Sequence, residues 1–187
     1  MTFLEELVNA AIGVFNIAIG KRDAAKYFNL TIVGLLGATI AIIITLGLNG
    51  YAPAILGSPI DGVSSSKLLV YTAGVFAFQT SSALIILNLL NRLDALVPYL
   101  VVDFWAGFFI TIISLSLNIL KIESDFLLIT LAILILIIKI NTIRIIIKLP
   151  IQHIILFFVA HLFAGLIGMI VLGSIMEINV LTLSSQT

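Results

Sequence analysis

The chain has 187 residues, of which 61% are apolar and only 10% charged, with a mean hydropathy of +1.30. A water-soluble domain needs roughly 25% charged residues to cover its surface, so the solvent of this chain is largely lipid. A formal net charge of zero argues against nucleic acid as a partner. The absence of cysteine removes disulfides, thiolate nucleophiles and Cys-based metal or iron–sulfur sites together.

The N-terminal segment begins with a capping box, Thr2 followed three residues later by Glu5, which predicts a helix start. On a helical wheel Glu5, Glu6, Asn9, Gly13, Asn16 and Gly20 share one arc, and the rest is apolar. A helix of this kind suits the membrane interface, or a position packed on the ends of the bundle. A cleaved signal peptide is not expected. The segment before the apolar stretch carries Glu5 and Glu6 rather than Lys or Arg, and the basic cluster Lys21, Arg22, Lys26 follows it. Residues 1–29 therefore read as an amphipathic interfacial helix with a basic linker.

Five spans follow, at residues 30–49, 68–90, 96–120, 126–148 and 151–176, with a short tail at 177–187. All but the fourth offer ~20 apolar residues, enough to cross ~30 Å of hydrocarbon. In lipid the backbone must satisfy its own hydrogen bonds, so the spans are helices and the fold class is an all-α transmembrane bundle. Residues 50–67, rich in Gly, Pro and Ser, read as a connection. Pro98 falls in the first turn of the third span, where its missing N–H costs little. The fourth span reaches Lys139 after only a short apolar run. The reading preferred is a long helix to about Lys148 with its basic residues reaching headgroups.

Orientation follows from counting cations. With the N-terminus inside, Lys21, Arg22, Lys26, Arg92, Lys139, Arg144 and Lys148 are cytoplasmic and only Lys67 and Lys121 are outside. That asymmetry predicts a cytoplasmic N-terminus and an external C-terminus.

Lipid does not drive helices together, so small residues mark close packing. Ala73, Ala77 and Ser81 form one such stripe on the second span, and Ala160, Ala164 and Gly168 another on the fifth. Asp103 is the only acid within a span; a charge there costs ~3 kcal/mol, so it needs a partner. Lys139 and His161 lie at comparable depth, which makes Asp103, Lys139 and His161 a candidate intramembrane polar cluster. Its simplest role is to neutralise itself and fix helix register; a proton or substrate pathway is the sharper alternative. The run Gln79–Ser82 lines a passage or bonds to a neighbouring helix. His153 and His161 are badly spaced for one metal, and no metal or cofactor is expected. No phosphate loop, nucleophile elbow or inverted repeat is visible.

The layout, with residues 21–31 (KRDAAKYFNLT) leading from the N-terminal segment into five spans, resembles the small bacterial members of the Yip-domain family. The resemblance implies a five-span protein with a cytoplasmic N-terminus. The eukaryotic members' aspartate–leucine–x–glycine–proline signature is absent, and no functional residue carries over. The leading expectation is a non-enzymatic scaffold or accessory protein that organises membrane or partner proteins. Lys21, Arg22, Lys26, Arg144 and Lys148 would contact lipid headgroups, other membrane proteins or a second copy. The rival is a small transporter or channel built on Asp103 and His161, marked by a cavity reaching Asp103. An enzyme acting on lipid is a remote third, lacking a nucleophile and base.

Overall fold

The computed structural model describes residues 2–57, 62–122 and 125–178, and every regular element among them is helical. The expected tail, 177–187, falls outside the described residues from 179 onward. Helix α1 spans Phe3–Ala18, α2 Ile32–Ile55, α3 Ser65–Leu89, α4 Leu96–Ile119, α5 Asp125–Thr142 and α6 Ile151–Ile175. Helices α2 to α6 are long and apolar enough to cross a membrane; in the fourth crossing α5 is extended by the turn Ile143–Ile147.

Local chemistry sets several of the boundaries. Thr2 and Glu5 form the reciprocal capping box at the start of α1, with Thr2 N–H donating to Glu5 Oε2 at 2.8 Å. The Ser64 hydroxyl caps α3 by accepting from Lys67 N–H at 3.3 Å. Helix α3 ends where Asn91 takes a left-handed conformation (φ 53°). There Arg92 N–H reaches back to the Leu87 carbonyl at 2.8 Å, satisfying an acceptor that the helix end would leave orphaned.

Helix α2 runs on to Ile55, past the expected boundary at Gly50. Gly50 does not end the helix; it brings α2 against α3. A Cβ at Gly50 would stand 2.8 Å from the Leu69 Cα. Pro53 falls in the last turn of α2, where the missing N–H removes one hydrogen bond without breaking the helix. The fourth span departs from the expected regular helix. After Thr142 the chain widens into a π-helical turn, Ile143–Ile147, and stops at Lys148 in the left-handed region (φ 57°), just before Pro150.

The five spans form a ring in which α3 packs on α6 and α2, α2 on α4, and α4 on α5. Large side chains such as Leu36, Ile43, Ile85, Ile129, Leu162 and Ile170 point outward. Their apolar surface is as favourable in lipid as it would be costly in water. With short turns joining alternate spans, Lys21, Arg22, Lys26, Arg92, Arg144 and Lys148 gather at one end of the bundle, the basic end. Lys67 and Lys121 lie at the opposite end.

Helix α1 slopes along the flank of this ring. Its C-terminal end is held at the basic end, where the Asn141 amide donates to the Ile17 carbonyl at 2.8 Å. Its N-terminal end lies against the middle of α4: the Phe3 and Trp105 ring centroids are 5.9 Å apart. Trp105 is well inside α4, ~13 Å along the axis from its start at 1.5 Å per residue. The polar arc of α1 turns toward protein. Gly13 and Asn16 are buried, Glu6 and Asn9 are half-buried, and the apolar ridge Leu4, Val8, Ile12, Phe15, Ile19 faces out.

Candidate intramembrane polar site

Asp103 sits on α4 and Lys139 on α5, helices that pack side by side. The Lys139 ammonium donates to Asp103 Oδ1. It also stands 3.2 Å from His161 Nε2 on α6. The three residues noted in the sequence therefore form one contiguous cluster. An ammonium at Nε2 requires that nitrogen to accept, which leaves the ring proton on Nδ1. His161 Nδ1 is buried and lacks a hydrogen-bond partner among the described residues. The Lys139 side chain turns inward to Asp103 and is only 24% exposed, against 8% for Asp103. The reason is energetic: an unpaired acid inside the membrane is the costlier outcome.

An aromatic wall closes the basic-end side of this cluster. Tyr99, one turn before Asp103 on α4, is fully buried, and its ring meets Phe157 of α6 edge-on at 5.1 Å. Phe157 in turn stacks on His161 at 6.4 Å. The Tyr99 hydroxyl makes no hydrogen bond among the described residues. Behind the wall Leu87, Ile143, Ile147, Leu149 and Ile154 form a buried apolar cluster. Arg92 pins that cluster by donating to the Ile147 carbonyl at 2.9 Å, so the π turn is held in place from α3's end of the bundle.

The other side of the cluster is open space. A cavity of about 430 Å³ is lined by Asp103 and Lys139 at one end and by Asn49, Tyr71 and Thr72 toward the opposite end. Between them Thr45, Gln79 and Thr111 supply polar groups, and Ile42, Leu46, Val75, Phe76, Ile110, Ile135, Ile138 and Met169 supply apolar wall. Asn49 donates to the Thr111 hydroxyl at 3.4 Å across α2 and α4. The lining residues thus run from the ion pair toward the end away from the basic residues, and Tyr99 and Phe157 are not among them.

Sequence reasoning missed Thr45, Asn49, Tyr99 and Thr111. A signal for two of them existed, since Thr45 and Asn49 are four residues apart and share a helix face. The polar run of α3 divides by position: Gln79 lines the cavity, the Ser82 hydroxyl donates back to the Gln79 carbonyl at 2.7 Å, and Ser81 is exposed.

The expected packing stripe on α3 needs correcting. Ala77 and Ser81 are exposed and Ala73 is half-buried. The α3–α6 seam instead runs through the neighbouring positions Gly74, Phe78 and Gln79. Cβ atoms added at Gly74, Gly165 and Gly168 would meet Leu172, Gln79 and Phe78 at 2.5, 2.7 and 3.1 Å. Facing lipid leaves an alanine or serine nothing to clash with, so a stripe of small residues does not by itself fix the contact face. On α6, Gly168 is buried in the seam, and Ala160 and Ala164 are half-buried beside it.

The proposed headgroup residues Lys21, Arg22, Lys26, Arg144 and Lys148 are all exposed at the basic end. Lys26 is partly occupied: it pairs with Asp23 at 2.5 Å and lies 5.1 Å over the Tyr27 ring. This bond holds the Asp23 carboxyl below its usual value and the Lys26 ammonium above its own.

Five apolar spans closed around a paired charge define the class: the chain is an integral membrane protein of the polytopic α-helical kind. No protein family matches it, and no curated protein and no solved structure does either.

Proposed function

We propose that this protein binds and moves a small solute through the cavity that ends on Asp103 and Lys139. It acts as a small non-enzymatic transporter, with its N-terminus cytoplasmic in an inner membrane. The observation that carries this reading is the cavity itself. A scaffold needs only a packed bundle, whereas here about 430 Å³ is left open against the one ion pair among the described spans. That volume lies in the range of small-molecule sites. Intramembrane charges that face a cavity are a mark of substrate and ion pathways. The lining does not extend past the pair to the buried cluster of Tyr99, Phe157 and Ile147, which favours a transporter over a continuously open channel. His161, in contact with Lys139, is placed to exchange a proton with it as the site opens and closes.

The test uses the absence of cysteine. Thr111→Cys places a thiol in the cavity, and Ile113→Cys places one on the lipid-facing surface. In nanodiscs a charged methanethiosulfonate reagent reacts only with thiols that water reaches. Fast labelling at 111 with none at 113 is the expected result. No labelling at 111 means a dry, packed bundle and restores the scaffold reading, in which the basic end and the outward ridge of α1 engage lipid or a partner protein.

A further inference from the structure

Resting on the solute-binding reading, we infer that the cavity takes an uncharged amphiphile: a small molecule with one neutral hydrogen-bonding head on an apolar body. The argument is one of charge balance and wall chemistry. Among the described residues, Asp103 and Lys139 are the only formally charged ones lining the cavity, and they neutralise each other. An anionic head can take the Lys139 ammonium only by leaving Asp103 as an unpaired charge at membrane depth. A cationic head can take Asp103 only by stranding Lys139 in the same way. Either exchange carries the large cost of an uncompensated buried ion.

A neutral head meets no such cost. An ammonium has three donors. Two of those on Lys139 are directed at Asp103 and His161, which leaves one for a carbonyl or hydroxyl oxygen. Gln79 lines the same cavity with both a donor and an acceptor. A hydroxyl or amide head can therefore bond to Lys139 while the ion pair stays intact, with Gln79 as a further polar group in the same lining. Away from this end the wall is chiefly apolar, with Val75, Phe76, Ile110 and Ile135 prominent. A fully hydrated polar solute would lose water there to a few groups already engaged, since Thr45 and Thr72 donate to their own helices and Asn49 to Thr111, whereas an alkyl or aryl body gains ~25 cal/mol for each Å² it buries. Such a molecule can enter from the aqueous phase or from the lipid, and its recognition chemistry is the same in both cases.

The test is protection of Thr111→Cys from the same reagent in nanodiscs by three matched six-carbon probes: hexanamide, hexanoate and hexylammonium. Ser64→Cys, exposed at the cap of α3, controls for effects on the reagent or the bilayer. The expected result is that hexanamide slows labelling at position 111 at least fivefold, the two ions slow it less than twofold, and position 64 is unaffected. Equal or better protection by either ion overturns the inference while leaving the solute-binding reading in place. So does protection by none of the three. A thiol at 111 that does not label at all overturns the solute-binding reading and the inference with it. Asp103→Leu combined with Lys139→Met supplies an independent check, because it removes the donor without stranding the carboxylate: hexanamide protection should be abolished, and retained protection counts against the proposed head-group contact.

Discussion

Lys139 reaches across from α5 to Asp103 on α4, so that the two formal charges in the middle of the bundle become one neutral pair bordering its cavity. The pair couples two neighbouring helices, and its loss should be felt as stability before it is felt as function.

Lys139→Met leaves the Asp103 carboxylate buried without its partner. The expected cost is about 3–5 kcal/mol, the usual penalty for breaking a buried pair from one side. It is measured as a lower midpoint of thermal unfolding in detergent and a lower yield in membranes. Asp103→Leu combined with Lys139→Met removes both charges and should recover most of the loss. Exchanging the two charges, Asp103→Lys with Lys139→Asp, should also rescue expression relative to either single reversal. A double variant no better than the singles shows that the contact is not energetically coupled.

Glu6 carries a pH dependence for the docking of α1. Its carboxyl packs on Gly37 of α2, where an added Cβ would meet Oε2 at 2.5 Å, and its Oε1 is buried without a hydrogen-bond partner. Burial pushes its pKa above the ordinary 4.5. A raised carboxyl pKa means that the docked state holds the proton more tightly than the undocked one. Docking is therefore strongest below pH 4.5 and weakens as the pH rises through the elevated value. Trp105, the only tryptophan in the chain, touches Phe3 of α1 and reports the change by its fluorescence. Glu6→Gln should flatten that pH profile; an unchanged profile assigns the titration to another group.

Glycine at position 50 is a contact, whereas glycine at position 47 is not. A Cβ at Gly50 runs into the Leu69 backbone, and one at Gly47 meets nothing within 4 Å. Gly50→Ala should force α2 and α3 apart and cost about 1–3 kcal/mol, as overpacking does. Gly47→Ala should be neutral or stabilise by up to about 1 kcal/mol through helix propensity. Thermal unfolding of the two variants side by side checks the contrast, and equal behaviour would contradict the close α2–α3 approach.

The ends of α1 are tied by two separate devices. Thr2→Ala removes the capping hydroxyl and should weaken the first turn by about 1 kcal/mol. Asn141→Ala removes the side-chain bond to the Ile17 carbonyl at the other end. Amide hydrogen exchange should show faster exchange at residues 4–8 in the first variant and at residues 14–20 in the second. A uniform rise in both would mean that α1 undocks as one unit instead of fraying from the altered end.

Much of the architecture is legible in the sequence because lipid imposes so few options. Twenty apolar residues in a row have one stable backbone arrangement, and the spans stand out accordingly. Asp103, Lys139 and His161 stand out for a related reason: a charge at that depth must find company, few side chains qualify, and the structure sets these three side by side. Neutral polar groups are harder to read. Thr45 and Thr72 bond back to carbonyls of their own helices, so their presence places no demand on a neighbour and their exposure to a cavity leaves no trace in the pattern. Small residues mislead in the opposite direction. Ala77 and Ser81 have the spacing of a packing stripe yet face outward, while Gly50, which looks like the start of a loop, marks a close approach of α2 to α3. The π turn at Ile143–Ile147 also has no sequence signature, because its isoleucines and Arg144 continue the composition of the helix before it.

The bond between Asn141 and Ile17 joins residues 124 positions apart, which has a consequence for biosynthesis. Ribosomes add about 5–20 residues per second. Helix α1 therefore emerges about 6–25 s before the side chain that secures its end. Through that interval its outward ridge of Leu4, Val8, Ile12, Phe15 and Ile19 meets the bilayer surface or the insertion machinery, while its inward arc of Glu6, Asn9, Gly13 and Asn16 waits for a bundle not yet made. Maturation of this protein closes from its last helices back onto its first.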